Sequence, residues 1–341
     1  MKKAIILFNL GGPDKLENVE PFLFNLFNDP AILNIPSLIR YPLAKLISNR
    51  RAPIAKKIYQ EIGGSSPILK LTIDQSNALE KKLNHSDNQN NYKCFVVMRC
   101  WHPRAEDVVK NVKEYCPDEI VLLPLYPQYS AATSGSSIKE WHTVCKKINY
   151  STKTSTICCY PTDISFIKSH VEGIKNKIKD LQNYKLIFSA HGLPQKNIKK
   201  GDPYQWQVEQ SVNMIVKNLK LDTLDWILSY QSRVGPLKWI GPSTDDIIIE
   251  NSKLGKKIVL VPIAFVSEHS ETLVELDVEY KDLAVKNGCK DYIRVPALGT
   301  SPDFINSLCA LVLNKEENKF AKNLYPPKTQ CPNEFKKCPC L

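Results

Sequence analysis

A histidine at position 191 and a run of acidic residues between 268 and 279 are the side chains best placed for acid-base or metal chemistry. The apolar run Leu186 to Ala190 leads straight into His191-Gly192-Leu193-Pro194, which puts an imidazole at the end of a predicted strand, on a turn whose Gly and Pro fix its path. A neutral imidazole, with a pKa near about 6.5, can take up a proton or ligate a metal. Further on, Ile258 to Phe265 is followed by Val266-Ser267-Glu268-His269-Ser270 and then by Glu271, Glu275 and Glu279 at intervals of four. On an α-helix these three would form one acidic row, with Glu268 a turn before. A solvated row costs a few tenths of a kcal/mol per pair, whereas an enclosed one must hold protons or a cation. His191 and Glu271, offered from the two halves of a cleft, make a nitrogen and oxygen set that binds a divalent transition metal without trapping it.

Eight short apolar or β-branched runs can carry these residues: Ala4 to Leu10, Lys93 to Met98, Ile120 to Tyr126, Ser155 to Tyr160, Leu186 to Ala190, Trp226 to Tyr230, Ile258 to Phe265 and Ile293 to Leu298. Between them, helical periodicity covers Val19 to Phe27, Thr72 to Leu83, Ala105 to Tyr115, Ile164 to Leu181, Gln207 to Leu219, Thr272 to Lys286 and Asp303 to Leu313. Strand alternating with helix predicts an α/β protein with parallel sheets and right-handed crossovers. Four strands fall in each half, and the strand ends LFNLGGP and IFSAHGLP echo one another. The expected architecture is two similar doubly wound domains, each a four-stranded parallel sheet flanked by helices, with an active-site cleft between them. The expected division is 1–150, 151–315 and a cysteine-rich tail at 316–341. In such sheets ligands bind beyond the carboxyl ends of the strands. The stretch Phe22 to Ile47 also reads as helical, and it is unusually apolar. It serves either as core or as a hydrophobic lip at a cleft or membrane surface, flanked by Arg40, Lys45, Arg50 and Arg51.

The 341 residues suit two domains, and 43% hydrophobic with 24% charged residues is a folding composition. A net charge of +11 favours acidic partners, but the basic residues are scattered, and no zinc-finger pattern or basic helix supports nucleic-acid binding. The glycines after the first strand lack both G-x-G-x-x-G and the P-loop pattern, so no phosphate cradle is recognisable. No run approaches the roughly 20 apolar residues that cross a bilayer, and the N-terminus reads as a strand rather than a signal peptide. The expected location is the cytoplasm, with peripheral contact on the inner membrane if the lip reaches it. Eleven cysteines in a reducing compartment do not predict disulfides.

Ser189-Ala190-His191-Gly192-Leu193-Pro194, followed by Gly201-Asp202-Pro203-Tyr204, resembles the ferrochelatase signature, and the likeness runs nearly end to end. It takes in Asn9-Leu10-Gly11-Gly12-Pro13, Arg51-Ala52-Pro53, Tyr59 with Gly63-Gly64-Ser65-Ser66-Pro67, Met98-Arg99, and Tyr126-Pro127-Gln128-Tyr129-Ser130. Gln231-Ser232-Arg233, Trp239, Gly241-Pro242, Glu268-His269, Glu271-Thr272-Leu273 and Glu275-Leu276-Asp277 complete it. The resemblance implies insertion of Fe²⁺ into protoporphyrin IX to give protohaem, with two protons released. His191 and Glu271 would handle metal and protons, and His269 and Glu275 would extend the polar path. Arg51, Tyr59 and Ser66 would meet propionates, while Arg99, Tyr126 and Trp239 would line the porphyrin slot. An aromatic wall suits a flat macrocycle. Cys100 departs from the family, whose members usually carry an aromatic residue there.

The chain ends in Cys331, Cys338 and Cys340, spaced C-x₆-C-x-C, a thiolate set for a [2Fe-2S] cluster or Zn²⁺ if a fourth ligand joins. This tail is similar to that of cluster-bearing bacterial ferrochelatases, which implies a mid-chain fourth ligand, Cys158, with Cys159 beside it. The animal-type loop cysteine is absent, since Ala131 stands there. Alternatives on the same residues are a chelatase for another metal, one for a more carboxylated ring such as coproporphyrin III, and a non-catalytic haem or iron-sulfur binding protein. A monomer and a homodimer are both compatible with the sequence.

Overall fold

The computed structural model describes residues 1–221, 223–233, 237–314, 321–322 and 331–339. They divide into two compact units, one of Met1–Cys159 with Leu308–Gln330, the other of Tyr160–Ser307 with Cys331–Pro339.

The first unit is built on β1 (Lys2–Asn9), β2 (Asn91–Met98), β3 (Glu119–Pro124) and β4 (Thr154–Ile157), parallel in the order β2-β1-β3-β4. Its helices are α1 (Val19–Phe27), α2 (Ser37–Glu61), α3 (Ile68–Ser86), α4 (Ala105–Tyr115) and α5 (Ser134–Lys147). The second unit has β5 (Tyr184–His191), β6 (Trp226–Gln231), β7 (Lys257–Pro262) and β8 (Tyr292–Arg294), parallel in the order β6-β5-β7-β8. A ninth short strand, β9 (Ala321–Lys322), runs antiparallel on β4 and makes the first sheet five-stranded. The helices after the first unit's are α6 (Ile164–Lys177), α7 (Gln195–Lys199), α8 (Tyr204–Leu219), α9 (Thr244–Lys253), α10 (Tyr280–Lys286) and α11 (Pro302–Leu313), with a π-helix at Glu271–Glu279 directly before α10. Ala4 to Leu7 of β1 and Ile258 to Val261 of β7 are fully buried. Strands covered on both faces read as unbroken apolar runs, which is why the eight were legible without alternation.

Three expectations are corrected. The division falls at Cys159 rather than 150, because β4 pairs with β3, and the described part of the last segment does not form a unit of its own: 321–322 belongs to the first unit and Cys331–Pro339 to the second. Apolar runs overshoot their strands, since β3 stops at Pro124, β7 at Pro262 and β8 at Arg294, where the chain leaves the ladder. The helical stretch from Phe22 to Ile47 is two helices broken at 28–36, and the second continues to Glu61 through Pro42 and Pro53. Each proline removes an amide from the helix ladder.

The bend between α1 and α2 is fixed electrostatically. Asp29 is buried, and its carboxylate accepts Arg99 Nη2 at 2.9 Å and the Ser136 hydroxyl at 2.6 Å. The same guanidinium reaches Ser136 Oγ at 2.8 Å and Glu140 Oε1 at 3.0 Å, and Arg104 also pairs with Glu140. Arg99→Met leaves the enclosed Asp29 without its cation and Glu140 with Arg104 alone, and should destabilise the protein by about 3–5 kcal/mol, read from urea denaturation. Asp29→Asn should cost less, because its amide still bonds Ser136.

Candidate active site

Strand β5 delivers His191, and the local backbone explains how it is held there. The Gly192 amide donates to the Gln231 carbonyl at 2.9 Å, tying the end of β5 to that of β6. A Cβ on Gly192 would lie 2.9 Å from that carbonyl and 3.3 Å from Trp239 Cε3, so only glycine lets the turn pack so closely. Tyr204, on the first turn of α8, donates its hydroxyl to the His191 carbonyl at 3.0 Å, and Asp202 accepts the Tyr204 amide at 3.1 Å.

His191 Nδ1 lies 2.9 Å from Glu271 Oε2. Both belong to the second unit, within the 151–315 stretch expected to carry them, and so do not face each other from two halves of a cleft: β5 and β7 are neighbours, and the loop after β7 carries Glu271 back to His191. The acidic row is corrected too. Residues 271–279 form a π-helix, with the Tyr280 amide bonded to the Glu275 carbonyl five residues back. Glu271 and Glu275 converge, while Glu279 lies exposed. Their meeting point is Ser232, whose hydroxyl lies 2.6 Å from Glu275 Oε2 and 3.1 Å from Glu271 Oε2, and whose amide donates to Glu275 Oε1 at 3.0 Å. Ser232 has φ 58°, a left-handed conformation unusual for a residue with a side chain, which turns hydroxyl and amide to the same carboxylate. The Gln231 amide also reaches Glu275 Oε2 at 3.2 Å.

The charges follow from this packing. Burial opposes an imidazolium at His191, but the adjoining Glu271 carboxylate outweighs it and holds the pKa above the ordinary 6.5. Burial likewise opposes the Glu271 charge, yet the His191 charge and hydrogen bond pull its pKa down to about 2. Burial and the neighbouring Glu271 push Glu275 up to about 7. Burial lowers His269, whose ring packs 4.5 Å from Phe265, and Phe265 also meets His191 edge-on at 6.4 Å. Glu268 is ion-paired to Arg294 at 2.8 Å, and Arg294 also grips Asp277 with bonds of 2.7 and 2.6 Å. Ser232, Gln231, Tyr204 and Arg294 were not singled out as functional from sequence. The positive φ at Ser232 leaves no signature in a serine codon, and the rest act through a fold that brings distant segments together.

In the first unit, Arg99 follows β2 and Tyr126 follows β3, so both stand beyond carboxyl ends of the sheet. The Arg99 guanidinium is held by Asp29 and Glu140, and the Tyr126 ring packs on the core around Trp141. Ser66 is seated on the turn after β1: its amide donates to the Pro13 carbonyl at 2.8 Å, and a Cβ on Gly12 would come within 2.5 Å of it. Tyr59 is buried against Ala52, Cys100 and Trp101, whereas Arg51 is exposed on α2. Cys100 is fully buried in that cluster, and burial pushes its thiol up to about 12. It is a packing residue. Trp239 belongs to the second unit and forms an isolated bridge with Pro194.

Of the tail cysteines, Cys340 lies outside the described residues. Cys331 and Cys338 are buried in the second unit, where the Gln207 amide donates to Cys331 Sγ at 3.2 Å and Phe335 packs 5.9 Å from Trp206. Cys158 is buried at the end of β4 in the first unit. Among the described residues no three His, Cys, Asp or Glu side chains form a metal-holding group.

The ferrochelatase family model matches residues 2–316. The chain is 75% identical over 341 residues to the ferrochelatase of Pelagibacter ubique, covering 100% of this chain and 99% of that protein. It is 49% identical to the ferrochelatase of Rickettsia bellii, covering 99% and 95%. Among solved structures it resembles SirB from Bacillus subtilis with a TM-score of 0.56 at 14% identity, covering 92% of this chain and 95% of that one, a likeness of fold. Carrying a histidine at the end of a parallel strand against a carboxylate on a π-helix, and matching the family model over residues 2–316, this chain belongs to the ferrochelatase family.

Proposed function

We propose that the protein inserts Fe²⁺ into protoporphyrin IX, the terminal step of haem formation, and that the second unit performs the chemistry. The observation that carries this is the His191–Glu271–Ser232–Glu275 constellation. Metallation must remove two pyrrole protons and bring a divalent metal to the ring nitrogens. With Glu271 ionised and accepting from His191 Nδ1, the Nε2 lone pair is the basic one, and the carboxylate behind it raises its basicity. His191 is therefore the proposed proton acceptor and, with Glu271, the proposed point of contact for iron. A nitrogen and oxygen pair binds Fe²⁺ weakly enough to surrender it to four pyrrole nitrogens. Glu275, near neutrality, is suited to take the proton on. His269, kept neutral, is the proposed extension of the polar path.

Arg51, Tyr59 and Ser66 are the proposed propionate partners, and Arg99, Tyr126 and Trp239 the proposed lining of the ring. Exposed Leu38, Ile39, Tyr41 and Ile54 on α2, between Arg40, Lys45, Arg50 and Arg51, fit contact with a lipid surface, as the apolar ring also would. No described helix is long and apolar enough to cross a membrane. Cys331, Cys338 and Cys340, with Cys158, are the proposed ligands of a [2Fe-2S] cluster. The Gln207 side-chain amide that donates to Cys331 Sγ is a donor of the kind that supports a thiolate, and the reaction as derived takes no step through such a cluster.

Anaerobic incubation with Fe²⁺ and protoporphyrin IX should quench porphyrin fluorescence and give haem absorption, and His191→Ala should lower the rate by about 10²–10⁴. Preferred metallation of coproporphyrin III would reassign the substrate, and ring binding without metallation would reassign the function. In the metal-free protein, the His191 imidazole followed by NMR should titrate above 6.5. Glu271→Gln should move that midpoint down, because removing the carboxylate leaves burial less opposed, and the rising limb of the pH-rate profile should shift to lower pH with it.

A further inference from the structure

The reaction releases protons into a partly enclosed site, and they must leave it. Two other carboxylates of this segment are poor exits: Glu268 and Asp277 are both held by Arg294. A continuous route runs the other way. Ser232 Oγ bridges Glu271 and Glu275 at 3.1 and 2.6 Å. Beyond Glu275, the Tyr280 hydroxyl lies 3.1 Å from Glu275 Oε1 and 3.3 Å from Asp245 Oδ2. The Tyr280 side chain is buried in an apolar cluster with Ile247, Ile248, Leu276 and Ala284, so its hydroxyl is a polar bridge through an otherwise apolar layer. Asp245, on the first turn of α9, is exposed to solvent.

We propose that Tyr280 and Asp245 form the exit relay for the pyrrole protons, resting on the metallation reaction proposed above. The step balances without a cofactor. The proton on Glu275 passes to the Tyr280 oxygen as the Tyr280 hydroxyl proton passes to the Asp245 carboxylate. Glu275 becomes a carboxylate, tyrosine stays neutral, and Asp245 becomes a carboxylic acid that yields its proton to water. Both hops are concerted, because burial and the two flanking carboxylates disfavour a free tyrosinate. Tyr280 and Asp245 touch neither metal nor ring. They act through Glu275.

The test is single-turnover metallation by the full chain under anaerobic conditions, with Fe²⁺ and protoporphyrin IX in weakly buffered solution, followed by porphyrin fluorescence. Wild type metallating in the same run establishes the reaction on which the relay depends. Tyr280→Phe and Asp245→Asn should each slow the turnover about tenfold or more, with porphyrin affinity unchanged. Imidazole buffer, a diffusible proton carrier, should restore the rate of Asp245→Asn, and Asp246→Asn, beside it on the same exposed turn, should behave as wild type. An unchanged rate in Asp245→Asn overturns the relay. A loss that imidazole does not restore also overturns it, since that marks a structural role. Asp245 is exposed, so its variant tests the proposal even if Tyr280→Phe disturbs the core.

Discussion

Two carboxylates, Glu271 and Glu275, are aimed at one serine hydroxyl, and the second unit's chemistry depends on making that arrangement tolerable. Side by side and half enclosed, both cannot remain ionised without compensation. The structure supplies two kinds. The imidazole of His191 bonds the Glu271 carboxylate through Nδ1, and the remaining repulsion is relieved by letting Glu275 hold its proton near neutrality. A basic nitrogen and a carboxyl group poised to exchange a proton are what deprotonating a ring and delivering a cation require, so electrostatic tension and chemical competence are here the same fact.

Much of the scaffold serves that tension indirectly. β5 and β7 are neighbours, which sets the two loops at their carboxyl ends side by side. Tyr204 and Gly192 fix the histidine, and Arg294 anchors the far side of the π-helix through Asp277 while holding the preceding loop through Glu268. The first unit places Arg99, Tyr126 and Ser66 beyond the ends of its own strands, following the same rule of parallel sheets. There, however, the charged side chain is locked by internal ion pairs and shapes the bend between α1 and α2.

The sheets were legible because strands buried on both faces declare themselves as short apolar runs, and His191 because it ends one of them. Helices α5 and α9 were not anticipated: Ser134-Gly135-Ser136-Ser137 and Thr244-Asp245-Asp246 are poor helix formers, and tertiary packing overrides their propensity. α2 outran the reading, continuing past Ile47 to Glu61 through Pro53, a residue that ordinarily ends a helix. The spacing of Glu271 and Glu275 anticipated that these two carboxylates meet, whereas Glu279, counted in the same row, lies exposed. Nothing local in the sequence announces the wider turn, and Ser232 is visible as the focus of the site only once the loop after β6 is folded.

That wider turn has an evolutionary consequence. A π-helix is, in effect, an α-helix carrying surplus residues, and losing one of them between Glu271 and Glu275 would let ordinary hydrogen bonding resume. On the resulting α-helix Glu275 would stand three positions after Glu271, about 300° round the axis, so the two carboxylates would splay apart about Ser232. The segment thus sits beside a more regular backbone one codon away, and selection must continually reject a change that could make the helix sounder and the enzyme idle.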